Sequence, residues 1–143
     1  MHEPSRSAGT GRRAQTLVEF AIVLPLLITV LFAIIEMSYT FFQTLTVQNA
    51  TRAAARQGAV GKTDATLRNT IKGLCENFGI TDSDISIVVT DSAGTVQAAG
   101  TRPTGGTIKV TTTHRIMFLT FLSSVMAPSG TLQIKPFTLL LVE

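Results

Sequence analysis

The almost unbroken apolar run from Leu17 to Ile35 limits most strongly what this chain can fold into. About 20 residues at ~1.5 Å rise cross a hydrocarbon core of ~30 Å. The run exceeds the ~7–15-residue core of a cleaved secretory signal. No small-x-small cleavage site follows it directly, so the span is expected to be retained. Arg6, Arg12 and Arg13 precede it. Basic residues stay on the cytoplasmic side of a span, which predicts the N-terminus inside and the rest outside. A length of 143 residues leaves room for one small domain beside the span. The net charge of +3 is too modest to argue for nucleic-acid binding.

Before the run, Met1 to Gly11 is rich in Ser, Gly, Pro and Arg and lacks apolar periodicity. It reads as a short unstructured cytoplasmic leader. After Glu36 the helical character continues. Apolar or small residues recur at Phe41, Leu45, Ala50, Ala53 and Ala54, and "ATRAAARQ" is strongly helix-forming. Tyr39, Phe41 and Phe42 stand where an aromatic interface belt would lie. Gly58 and Gly61 supply stop signals. One helix over about 15–58 is expected, with its span at about 17–36.

A second helix is expected over about 64–78, capped by Thr63 or Asp64. Leu67, Ile71, Leu74, Cys75 and Phe78 recur at helical spacing on one face. The remainder reads as β: about 85–90, 107–114 and 131–141, with "TVQAAG" as a short partner strand. Ile108 and Val110 alternate with Lys109 and Thr111, the period of a half-buried strand. Pro136 forces an edge position or a bulge. So short a β region buries little core alone. It needs the face of the second helix and the outer half of the first. The expected fold class is α+β: a long N-terminal transmembrane helix, a second short helix and a small antiparallel sheet.

The catalytic inventory is thin. His2 and His114 lie far apart, and no nucleophile elbow, zinc-helix motif or phosphate loop is present. Asp82, Asp84 and Asp91 sit in turn contexts that local backbone hydrogen bonding explains. The single Cys75 supports neither an internal disulfide nor a metal site. No enzyme activity, cofactor or metal is expected.

The informative chemistry is Glu19. A carboxylate in hydrocarbon costs roughly 2.5–3.5 kcal/mol, less where it reaches the interface. An interfacial acid of no consequence is one reading. In the other, the charge has a partner. Cleavage after Ala14 would create an α-amine on Gln15, four residues and about 6 Å along the axis from Glu19. A neighbouring chain, staggered along that axis, would then neutralise this acid on assembly. Pro25 removes one backbone hydrogen bond and crowds the carbonyl at Phe20 or Ala21. It is read either as an incidental kink or as a deliberate loosening.

These residues carry a resemblance. A basic pair, a small residue, four residues, then Glu-Phe and an apolar run is similar to a type IVb prepilin-peptidase site. The string "LVEFAIVLPLLITVLFAIIEMSYTFFQTLTVQNATRAAARQGA" resembles the TadE-like minor pseudopilins of the Tad/Flp pilus. Val18 to Ala21, Leu24 to Leu27, Glu36 and Ala50 to Arg56 fall on the family pattern. That family usually has glycine where Ala14 stands. The resemblance implies a non-catalytic envelope protein of the bacterial cytoplasmic membrane, acting in pilus biogenesis, secretion and adhesion. It implies processing at Ala14 and Gln15 beside Arg12 and Arg13, with Glu19, Phe20, Pro25 and Glu36 serving recognition or assembly. The implied partners are a prepilin peptidase, other pilin or pseudopilin subunits, the Tad secretion machinery and the lipid bilayer. Two alternatives stay open: an uncleaved signal-anchored protein with a small external binding module, and a domain freed by ordinary signal peptidase.

Overall fold

The computed structural model describes residues 9–117 and 131–142. The elements are helices α1 (Gly9–Ala59) and α2 (Asp64–Leu74), then strands β1 (Ile85–Thr90), β2 (Thr107–Thr112), β3 (His114–Met117), β4 (Thr131–Ile134) and β5 (Phe137–Leu141). Single 3-10 turns stand at Glu76–Phe78 and Asp82–Asp84. The fold is α+β, as the patterning predicts. The chain divides into two units, one up to Met37 and one from Ser38 onward.

In the first unit every residue from Ala14 to Phe32 is exposed. This exposed apolar surface is suited to lipid. α1 is the one helix among the described residues long and apolar enough to cross a membrane. It begins at Gly9, whereas the composition predicts an unstructured leader to Gly11. The reason is cooperative. Once the downstream helix exists, each further residue adds a hydrogen bond without a new nucleus. The leader reading of positions 1–8 lies outside the described residues.

In the second unit β1, β2 and β5 form an antiparallel sheet in that order, and β3 pairs with β4 in a second sheet. The outer part of α1 covers the larger sheet. Val47, Ala50, Thr51, Ala54, Ala55 and Ala59 are buried, at spacings of three, four and one. The small side chains let the helix approach closely. Gly58 is the tightest point: a Cβ there would lie 2.3 Å from Ile108 Cδ1 and 2.9 Å from Leu67 Cδ2. Phe41 and Leu45 are exposed, and the packed face of this stretch begins with Gln43 and Val47. Ile85, Val89, Ile108 and Val110 complete the core from the sheet.

α2 adds Leu67, Ile71 and Cys75 to that core. Thr63 caps it, its hydroxyl accepting from the Thr66 amide. Leu74 is exposed and Phe78 half-buried, because α2 stops at Leu74 and a 3-10 turn shifts the phase. Gly79 ends that turn with φ +62°.

Two strand expectations are corrected. Residues 107–114 divide at Thr113, and 131–141 divides at Lys135 and Pro136, each half joining a different sheet. Proline cannot donate to a ladder. Its carbonyl still accepts from the Thr112 amide at 3.1 Å, which starts the β5 pairing. "TVQAAG" makes only an isolated bridge, Thr90 to Val96.

Candidate functional site

Within the first unit the residues expected to carry function lie along α1. The backbone of Arg12 and Arg13 is helical, and Ala14 and Gln15 follow, exposed, in the same helix. The Gln15 side-chain amide donates to Glu19 Oε1 at 3.2 Å. Helical spacing makes this contact, since residues four apart share a face. It places position 15 at Glu19 while the chain is intact. Phe20 is 58% exposed, a large aromatic surface. Pro25 stands inside the helix, and the Thr29 hydroxyl donates to its carbonyl at 2.8 Å. That bond gives the carbonyl a partner beyond the helix ladder, in a turn already short of one amide donor.

Glu36 behaves differently from its neighbours. It is 3% exposed, while Ile34, Ile35 and Met37 are exposed. Its carboxylate does not face outward in the single chain. The structure therefore brings Gln15 and Glu19 together and keeps Glu36 apart from them.

Residues 14–56 match the family model of the TadE-like protein. This segment is similar to TadE-like proteins. The match begins at Ala14 and covers the apolar run and the small-residue stretch to Arg56. No curated protein and no solved structure matches the chain.

The second unit carries a polar cleft beyond the TadE-like segment. It has a volume of about 490 Å³ and is lined in part by Phe78, Thr81, Asp84, Thr113, His114 and Arg115. His114 forms its inner wall, buried, with Nε2 2.7 Å from Gln43 Oε1. Its ring lies 5.5 Å from that of Phe78, which in turn packs edge-on against Phe42 at 6.1 Å. Burial pushes the His114 pKa below its ordinary value, with Asp84 acting weakly the other way. The imidazole is therefore neutral near pH 7. Asp84 is held below the usual carboxylate range, first by the Thr81 hydroxyl at 2.6 Å and then by the Thr81 amide at 2.9 Å. The Ser83 and Thr81 hydroxyls bond each other at 2.8 Å. A neutral histidine on an amide and a carboxylate spent on a capping box make a structural network.

The other acids have local roles too. Asp91 accepts from the amides of Ala93 and Thr95 and from the Gln97 side chain. Asp82 pairs with Lys72, and Asp64 with Arg102. Cys75 is buried, and desolvation raises its thiol to about 11. Among the described residues no group of three His, Cys, Asp or Glu could hold a metal ion. Sequence reasoning missed the Gln43–His114 pair. Its only trace in the sequence is Gln43 standing four residues before Val47, in phase with the buried face.

Proposed function

We propose that this chain is a minor pseudopilin or assembly factor of the Tad (Flp) pilus, non-catalytic and processed by a prepilin peptidase between Ala14 and Gln15. The observation that carries the reading is the TadE-like match over residues 14–56, which starts at the proposed site of cleavage. α1 anchors the chain in a bacterial cytoplasmic membrane, where it serves the Tad pilus system. Arg6, Arg12 and Arg13 set its orientation, N-terminus inside and the Ser38-onward unit outside.

In this reading cleavage converts a local contact into an intermolecular one. Before it, the Gln15 side chain occupies Glu19. After it, the new α-amine carries a positive charge at a helix N-terminus, where the helix dipole disfavours it. A neighbour's carboxylate is its natural partner. Two costly groups in lipid then neutralise each other only on assembly. Phe20 and the exposed faces of the first unit supply apolar surface for other subunits. Because α1 continues upstream of Ala14, the helix must open there before a peptidase can reach the bond.

The test is the N-terminus of the protein recovered from membranes. Gln15 at the N-terminus, dependent on an active prepilin peptidase, is the expected result. An intact leader would favour the signal-anchored alternative, and a start beyond Glu36 the released domain.

A further inference from the structure

The two edges of the larger sheet are not equivalent. In antiparallel pairing, alternate residues turn their amide and carbonyl toward the neighbouring strand, and the others turn them away. The Thr113 amide bonds the Asp84 carbonyl, so Ile85, Ile87 and Val89 face the free side of β1. That side is occupied at both ends. Arg68 Nη1 donates to the Ile85 carbonyl at 2.9 Å, and the Gln97 amide donates to Val89 at 2.8 Å. On β5 the Thr112–Pro136 and Val142–Gly106 bonds put the even positions toward β2. Phe137, Leu139 and Leu141 therefore present their backbone groups to the open edge. Their side chains are 59%, 53% and 68% exposed, all on one face of the sheet. Such an edge is a template for another strand.

The occupant is argued from the sequence of the strand itself. "KPFTLLLVE", Lys135 to Glu143, is complementary to itself when reversed about Leu139. In that register Leu139 meets Leu139, Phe137 meets Leu141, and Lys135 stands opposite position 143, a glutamate. As a sequence register, opposite charges flank both ends of the pairing, and no like charges face each other across it. Lys109 already lies over the Phe137 ring at 5.1 Å, which leaves Leu139 and Leu141 as the uncovered apolar surface. An apolar groove of about 350 Å³, lined by Arg56, Ala59, Val60, Leu140 and Leu141, opens beside the same edge.

We propose that β5 is a self-association edge, at which two copies of this chain pair antiparallel about Leu139 and join their sheets into one of six strands. The pairing places the two Leu139 Cα atoms about 5.5 Å apart, inside the ~4.4–6.8 Å range a disulfide spans.

The experiment uses the full chain in membranes, with Cys75→Ala removing the native thiol. Leu139→Cys is expected to give at least about tenfold more covalent homodimer on mild oxidation than Ser86→Cys, an exposed position on β1. Lys135→Glu in the Leu139→Cys chain should cut that yield severalfold, and adding Glu143→Lys should restore it. Light scattering of the unsubstituted chain in detergent should give a protein mass of two copies. A yield no higher than at Ser86, adducts only with a different protein, absence of charge-swap rescue, or a monomer mass would each overturn the proposal.

Discussion

The most constrained residues lie where α1 meets the sheet. The buried Thr51 hydroxyl donates to the Val47 carbonyl and shares a 2.8 Å bond with the Thr112 hydroxyl. Removing one partner leaves a desolvated oxygen, which costs about 1–3 kcal/mol, whereas removing both is gentler. Thr51→Val and Thr112→Val should each lower stability by about 1–2 kcal/mol. The double variant should cost less than their sum, a coupling that a double-mutant cycle in urea would measure. His114 gives a pH dependence of definite sign. Its folded pKa lies below the ordinary 6.5, so the unfolded chain takes up the proton first as pH falls. Its contribution is complete above about pH 6.5 and is lost below it. Asp84, also lowered, keeps its contribution down through its ordinary 3.8 and does not mask the effect. The melting temperature in detergent should therefore fall between about pH 7.5 and about pH 5.5, and His114→Gln should flatten that fall. Neither network was legible in the sequence. Thr51, Thr112, Gln43 and His114 are polar residues whose burial depends on partners 61 and 71 positions away.

At the scale of elements, two glycines in helices separate packing from propensity. Gly73 lies in α2 with open space, to 4 Å, around the point a Cβ would occupy. Gly73→Ala should stabilise by about 0.5–1 kcal/mol, because alanine loses less backbone freedom. Gly58→Ala gains the same propensity but drives a methyl into Ile108 and Leu67, both fully buried. Overpacking of about 1–3 kcal/mol should win, giving net destabilisation. Chemical denaturation of the two variants checks the opposite signs. The helices and the alternation of β2 were readable because periodicity reports a buried face directly. The division of the last β segment was not. Proline announces an interruption at Pro136, but whether the chain bulges within one sheet or crosses to another depends on strands distant in sequence. The exposed Phe41 and Leu45 teach a related lesson. In so apolar a helix hydrophobicity no longer marks the packed face, and small residues such as Ala50, Ala54 and Gly58 mark it instead.

For the whole molecule, the two units answer to different solvents. The Ser38-onward unit has its own core. The stretch from Ala14 to Phe32 buries nothing and carries one acid, Glu19. If that acid serves only as an interfacial group, its loss should be silent or should favour insertion, since a carboxylate opposes transfer into lipid by up to roughly 2.5–3.5 kcal/mol. If it neutralises a neighbour's α-amine, its loss should leave insertion intact and impair assembly. Glu19→Ala is therefore expected to remain in the membrane fraction after alkaline carbonate washing, at wild-type amounts. Surface pilus yield should drop by about tenfold or more, as one unpaired charge in a low-dielectric site costs more than about 1.4 kcal/mol. Sequencing its N-terminus assigns the defect. An N-terminus at Gln15 with few pili places the role of Glu19 after cleavage, whereas a retained leader places it in recognition by the peptidase. Wild-type pilus yield would remove Glu19 from assembly and leave α1 as an anchor alone.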